Sequence, residues 1–242
     1  MATYVLVHGA YQGGWIWKPV VQRLQKAGHA VYAPTLEGCG ERHERVRAGI
    51  TVTTHAREIE RLLFFEDLAD IVLVGTSSGG MVICKAAELA RERIARLAFV
   101  DALALLPGER VADIVNRPAA NETTALTTSP TRSDAEGRMF ADLEPAPRAW
   151  ALARYTPHPI AALEAPMEPT DFWERSWTAS VIRCKRAKNP PETHQRRTAE
   201  RLKASYMELD TGHYPMLSQP EELTRLLTSA LNFAGDGRPV KK

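Results

Sequence analysis

An α/β fold with a mostly parallel sheet and helices on both faces is predicted by three observations. Short apolar runs alternate along the chain with segments of helical periodicity. The runs are continuous rather than polar–apolar alternating, as in strands buried on both faces. A length of 242 residues suits one core with a small inserted unit.

The elements follow in order. Tyr4-Val5-Leu6-Val7 is a buried strand that breaks at His8-Gly9. Trp17 to Ala27 carries Val20, Val21 and Leu24 at helical spacing and stops at Gly28, a C-cap residue. His29 to Ala33 is a second strand ended by Pro34, and a loop with Gly38 and Gly40 follows. Thr54 to Glu66 reads as a helix, Ile71 to Val74 as a strand, Ser78 to Arg91 as a helix, and Leu97 to Val100 as a strand stopping at Asp101.

The rhythm then fails. Residues 103–178 are rich in proline, with a T-T-S-P-T-R-S-D loop and short helices expected at 135–143 and 147–155. They read as an inserted cap, with the core made of 1–102 and 179–242. The rhythm returns with a strand at 180–184, a helix near 193–202 and a strand at 206–209. S-Q-P-E-E, with Ser218 as N-cap and Pro220 in the first turn, starts a last helix to about Phe233, and G-D-G-R-P-V-K-K frays as a solvated tail.

The totals exclude several classes. Charged residues are 25% and the formal net charge is only +2, too little to argue for nucleic acid or an anionic membrane. No apolar run approaches the ~18 residues of a membrane span, and the N-terminus lacks the regions of a signal peptide. Cys39, Cys84 and Cys184 form no C-x-x-C and cannot all pair, so free thiols in a reducing compartment, and a cytoplasmic protein, are expected.

The strongest chemical signal is V-L-V-G-T-S-S-G-G-M-V, residues 72–82. It is a buried strand, then G-x-S-x-G, then a helix: the context of a nucleophile elbow. Gly75 and Gly79 permit close backbone approach around Ser77, and the glycine spacing favours Ser77 over the neighbouring Ser78 hydroxyl. A serine needs a base. His213, in L-D-T-G-H-Y-P after the last strand, is the candidate, and the chain order Ser then His agrees. His8 is expected to shape backbone. His29, His43, His55, His158 and His194 fall on expected surface elements or in the insertion. The oxyanion requires two amides, expected from Ser78 and from the loop after the first strand, most directly Ala10.

Strand-H-G-A-x-x-G-G-W-x-W, A-P-T-L-x-G-x-G-E-R, V-G-x-S-x-G-G-M and G-H-x-P-M-L with P-E-E-L together resemble the α/β-hydrolase superfamily. Within it the chain looks like the bacterial esterases related to plant methylesterases and hydroxynitrile lyases, over nearly its whole length. The resemblance implies the α/β-hydrolase fold and a Ser–His–acid hydrolase of a small ester, without metal or cofactor. Two positions depart from the pattern. Thr76 stands where relatives usually carry His. Relatives also place the acid eight residues before a glutamine; counting back from Gln195 gives Ala187.

Three sources of the acid remain open. Asp101, at the strand end after the nucleophile helix, occupies the place used by haloalkane dehalogenases and zearalenone-type lactonases of this superfamily. Glu192 and Asp210 are substitutes, the first on a helix pointing away and the second close to His213 in sequence. The third possibility is no acid at all. Asp101 is the leading assignment, because the base needs orientation and charge support whatever the acid's sequence origin.

Phe140, Trp150, Tyr155, Phe172, Trp173 and Trp177 of the insertion suggest a pocket for an apolar or aromatic ester. The resemblance to lactonases with the acid at the Asp101 place implies room for a bulky lactone as well. Trp150, Tyr155 and Trp177, with Tyr11 and Met81 beside the oxyanion hole, are the expected substrate contacts. Rival readings are a catalytically weak binding protein on this fold and a hydroxynitrile lyase. The lyases resembled here carry Thr and Lys where this chain has Gly9 and Tyr214.

Overall fold

The computed structural model describes residues 1–116 and 121–229. Its strands, in chain order, are β1 (Thr3–Val7), β2 (Ala30–Tyr32), β3 (Ile71–Thr76), β4 (Ile94–Val100), β5 (Asn121–Thr123), β6 (Thr127–Pro130), β7 (His158–Pro159), β8 (Ala179–Cys184) and β9 (Ser205–Leu209). The helices are α1 (Lys18–Lys26), α2 (Val52–Phe65), α3 (Gly79–Leu89), α4 (Val111–Ile114), α5 (Arg132–Asp134), α6 (Pro145–Leu152), α7 (Ile160–Glu164), α8 (Glu192–Leu202), α9 (Pro215–Ser218) and α10 (Pro220–Ser229).

Six strands form one sheet in the order β2-β1-β3-β4-β8-β9, and every pairing in it is parallel. The alternation of side chains along each strand divides the core in two. Val5, Val7, Leu73, Phe99 and Val181 face one way, under Ile59 and Leu63 of α2, Ile83 of α3 and Leu202 of α8. Tyr4, Leu6, Val72, Val74, Val100 and Ile182 face the other, under Val20 and Leu24 of α1 and Leu223 and Leu227 of α10. Each fully buried side chain of this size contributes roughly 1.5–3 kcal/mol. The double coverage explains why these strands read as unbroken apolar runs.

The strand order reverses at β1. The chain leaves β1 toward β2 on one side and comes back to β3 on the other. Such a switch point opens a crevice at the carboxyl ends of the two central strands, and Gly9 and Ser77 lie at those ends.

Local chemistry sets the helix ends. Thr51 and Thr54 form a reciprocal cap, each amide donating to the other hydroxyl, so α2 begins at Val52 rather than Thr54. The expected Ser218 N-cap is not found. Ser218 is the last residue of α9, and its hydroxyl donates back to Tyr214 O and lies 2.6 Å from Thr211 Oγ1. Pro220 opens α10 without it. The expected continuation to Phe233 and the fraying tail lie outside the described residues.

The segment between β4 and β8 holds more structure than its sequence suggests. The T-T-S-P part of the expected loop is β6, which pairs antiparallel with both β5 and β7. Threonine suits a pleated surface, and β6 gains order both from its hairpin with β5 and from the distant β7. Thr131 then caps α5, and a π-turn covers Ala135–Met139 where a plain helix is expected. Beneath this segment a third apolar cluster joins Ala10, Met81, Leu103, Val111 and Leu163. No helix of the described residues is long and apolar enough to cross a membrane.

Candidate active site

Ser77 follows β3 with a positive φ of 51°. A non-glycine residue there is strained and persists only where its surroundings fix it. The surroundings are the two elbow glycines. A Cβ on Gly75 would stand 2.7 Å from Gly79 O, and one on Gly79 would stand 2.6 Å from His8 O. A side chain at 75 would push the start of α3 off the strand, and one at 79 would push the turn off the end of β1.

His213 sits in the loop after β9. Its Nδ1 lies 2.6 Å from Asp101 Oδ2. Asp101 is fully buried at the end of β4, also at positive φ, 45°. Its other oxygen, Oδ1, accepts the Cys184 amide at 3.0 Å. Burial pushes the Asp101 carboxyl above its ordinary range, while the bond to His213 and the Cys184 amide pull it back. With Asp101 ionised, Nδ1 is the donor and Nε2 is left free to accept a proton. The other two acid candidates are engaged elsewhere. Glu192 pairs with Arg183 and Arg196, and Asp210 is exposed beside Arg186.

A cavity of about 460 Å³ is lined by Ser77, His213, Ala10, Ser78 and Tyr11 together. Asp101 stands behind His213, outside its lining. Among the described residues, neither the Ala10 nor the Ser78 amide donates to another protein group. Leu103, Val111, Val115 and Leu163 give the cavity an apolar wall.

Four expected contact residues do not line this cavity. Met81 faces the third core cluster and is 1% exposed. Trp150 packs edge-to-face on Trp15, with Arg154 over its ring. Tyr155 packs against the α1/α10 side of the core. Trp177 stacks on Phe172 under Arg91, and its indole N–H donates to Phe172 O. Large rings are drawn to wherever most area can be buried, which here is the core for Tyr155 and Trp177 and the Trp15 ring for Trp150. Residues 186–190, the stretch that lacks the usual acid, form one wall instead, Ala187 included. Asp142 faces the cavity too. Its carboxylate fills the place of a Cβ on Gly212, with Oδ2 1.8 Å from that point. No sequence periodicity marks either feature.

Two other histidines need correction: His55 and His194, expected on surface elements, are buried, as is His158 within the insertion. His55 Nε2 bonds Glu37 O, His158 Nδ1 lies 3.4 Å from Cys39 Sγ, and His194 Nε2 accepts the Ala104 amide. His8 accepts the Leu36 amide on Nε2 and donates from Nδ1 to Gly9 O, a pattern only the neutral ring can make. Burial pushes His8 and His194 down to about 4. The unfolded chain therefore binds protons first as pH falls. The stability these rings contribute is complete above pH ~6.5 and is lost on the way to pH 4. Thermal melts should show a midpoint falling steadily across that window. A midpoint level down to pH 4.5 would contradict the neutral assignment.

A strand–serine–helix elbow at a switch point, with an acid-supported histidine in the same cavity, defines an α/β-hydrolase. The model of the alpha/beta hydrolase family matches residues 4–226, and the chain belongs to that family. A carbendazim hydrolyzing esterase of Nocardioides sp. (strain SG-4G) is 32% identical over 177 residues, 69% of this chain and 73% of its own. Methylesterase 3 of Arabidopsis thaliana is 28% identical over 94% of this chain and 95% of its own. Among solved structures, an extracellular alpha/beta-hydrolase from a Paenibacillus species superposes with a TM-score of 0.80 at 22% identity, covering 95% of this chain and 99% of its own. Within the family this chain is an esterase-type, methylesterase-like member.

Proposed function

We propose that the chain hydrolyses small carboxylic esters or lactones through an acyl-enzyme on Ser77. His213 takes the Ser77 proton as the hydroxyl attacks the carbonyl, then returns it to the leaving alcohol. Asp101 fixes the His213 tautomer and supports the imidazolium. The Ala10 and Ser78 amides hold the oxyanion. Water, deprotonated by His213, then releases the acid. The scheme needs neither metal nor cofactor. The observation that carries it is the 2.6 Å bond from His213 to a fully buried Asp101, with His213 and the strained Ser77 in one cavity.

Residues 103–178 act in this reading as a cap, since Val111, Val115 and Leu163 contribute to the cavity wall. Those side chains favour an apolar or aromatic substrate, and the cavity suits one of drug-like size. Three buried, unpaired cysteines fit a reducing, cytoplasmic setting.

A panel of p-nitrophenyl esters of increasing acyl length, with aryl methyl esters and lactones of matched size, tests the reading. Turnover is expected to rise with apolar bulk until the cavity is filled. Absence of hydrolysis across the panel would sink the proposal.

A further inference from the structure

We infer that Gln195 and His194, in the first turn of α8, are positioning residues that hold the Asp101 loop for catalysis. The inference rests on the triad reading above. It concerns the same stretch whose usual acid position is Ala187.

The chain from 101 to 106 is tied down nearly residue by residue. The Asp101 amide donates to Ile182 O at 2.8 Å, and the Leu103 amide donates to Ser77 O at 2.8 Å. Gln195 Nε2 donates to Ala102 O at 3.1 Å, and the Ala104 amide donates to His194 Nε2 at 3.1 Å. The Leu106 amide donates to Glu109, which Arg197 of α8 grips with two bonds. Arg197 also sits 3.2 Å from His194 Nδ1. Asp101 and Ser77 are both at positive φ, and strained residues hold only where neighbours over-determine them. The Leu103 bond joins the two strained turns to each other, and α8 clamps the segment on either side of that bond.

Gln195 carries a second indication. It is fully buried, yet its Oε1 has no hydrogen-bond partner among the described residues. An apolar residue of the same shape would be free of that unpaired atom. The bond that this buried side chain does make, Nε2–H to Ala102 O, falls on the residue next to Asp101.

The test is a double-mutant cycle with Gln195→Met and Asp101→Asn, read as kcat and KM on one ester. Gln195→Met is expected to lower kcat between about fivefold and 100-fold with KM held within about twofold, the signature of a displaced reacting group. On the Asp101→Asn background the same change should move the residual kcat by less than about twofold, because the group it positions is gone. Equal losses on both backgrounds, or no loss on the parent, overturn the inference. If Asp101→Asn alone loses less than about tenfold, the triad reading falls and takes this inference with it. Should Gln195→Met not fold, His194→Leu and His194→Gln replace it, since glutamine keeps an acceptor for the Ala104 amide. Loss in the first with recovery in the second supports positioning, and equal kcat in both overturns it.

Discussion

Asp101→Asn should leave a folded protein that turns over its ester up to about 10⁴-fold more slowly. Asparagine can keep the Cys184 amide on its Oδ1, so the loop need not move. Its NH₂ would then meet His213 Nδ1, and only the Nε2–H tautomer can accept it. That tautomer turns a proton, rather than a lone pair, toward the cavity. The stability effect has the opposite sign. A carboxyl raised by burial contributes stability below its unfolded pKa and loses it as pH rises through the folded value. Above that folded value the buried charge is a burden on folding, and Asp101→Asn should melt there at or above the parent. A kcat loss under about tenfold would remove Asp101 from the mechanism. Ala187→Asp in the same background asks whether the two acid positions are interchangeable. They are close enough for the question, since Cys184 bonds Asp101 through its amide and Ala187 through its carbonyl.

Ser77→Ala should have the larger effect, a kcat loss of up to about 10⁶-fold. What survives is the contribution of the oxyanion amides and of binding, which act without the hydroxyl. Alanine at 77 keeps the strained φ and the elbow, so thermal stability should change little. A slow ester quenched during turnover should leave its acyl group on the peptide containing Ser77. Mass spectrometry that finds it on Ser78 would move the nucleophile by one residue.

The core was legible because its physics is local to each strand. Runs such as Val72–Val74 and Leu97–Val100 are apolar on both faces, and each stops near the C-terminal edge of the sheet, where the turns carrying Ser77 and Asp101 begin. Ser77 and His213 were legible because glycine spacing and chain order are constraints of geometry. Asp101 could be singled out, but only against two rival carboxylates. Partners set it apart from Glu192 and Asp210, and partners are not written in the chain. The insertion was the least legible. β5, β6 and β7 are two to four residues long, and although β5 and β6 form a local hairpin, β7 reaches β6 across some thirty positions. Its aromatics stand out by size, yet Trp177 spends that size on core packing and Trp150 on the Trp15 ring, away from the cavity. Val111, Leu163 and Asp142 line the cavity by an orientation that no period predicts.

The contact between Asp142 and Gly212 bears on how this protein could be rebuilt. An Asp142 oxygen occupies the space a methyl at 212 would need, one residue before His213. The inserted segment and the histidine loop are thus cut to fit one another. A chimera that imports another cap must bring a side chain no bulkier at 142, or exchange the 211–214 loop with it. Grafts that swap the cap alone are expected to fold around a misaligned base, and to disappoint as catalysts for a reason located outside the transplanted piece.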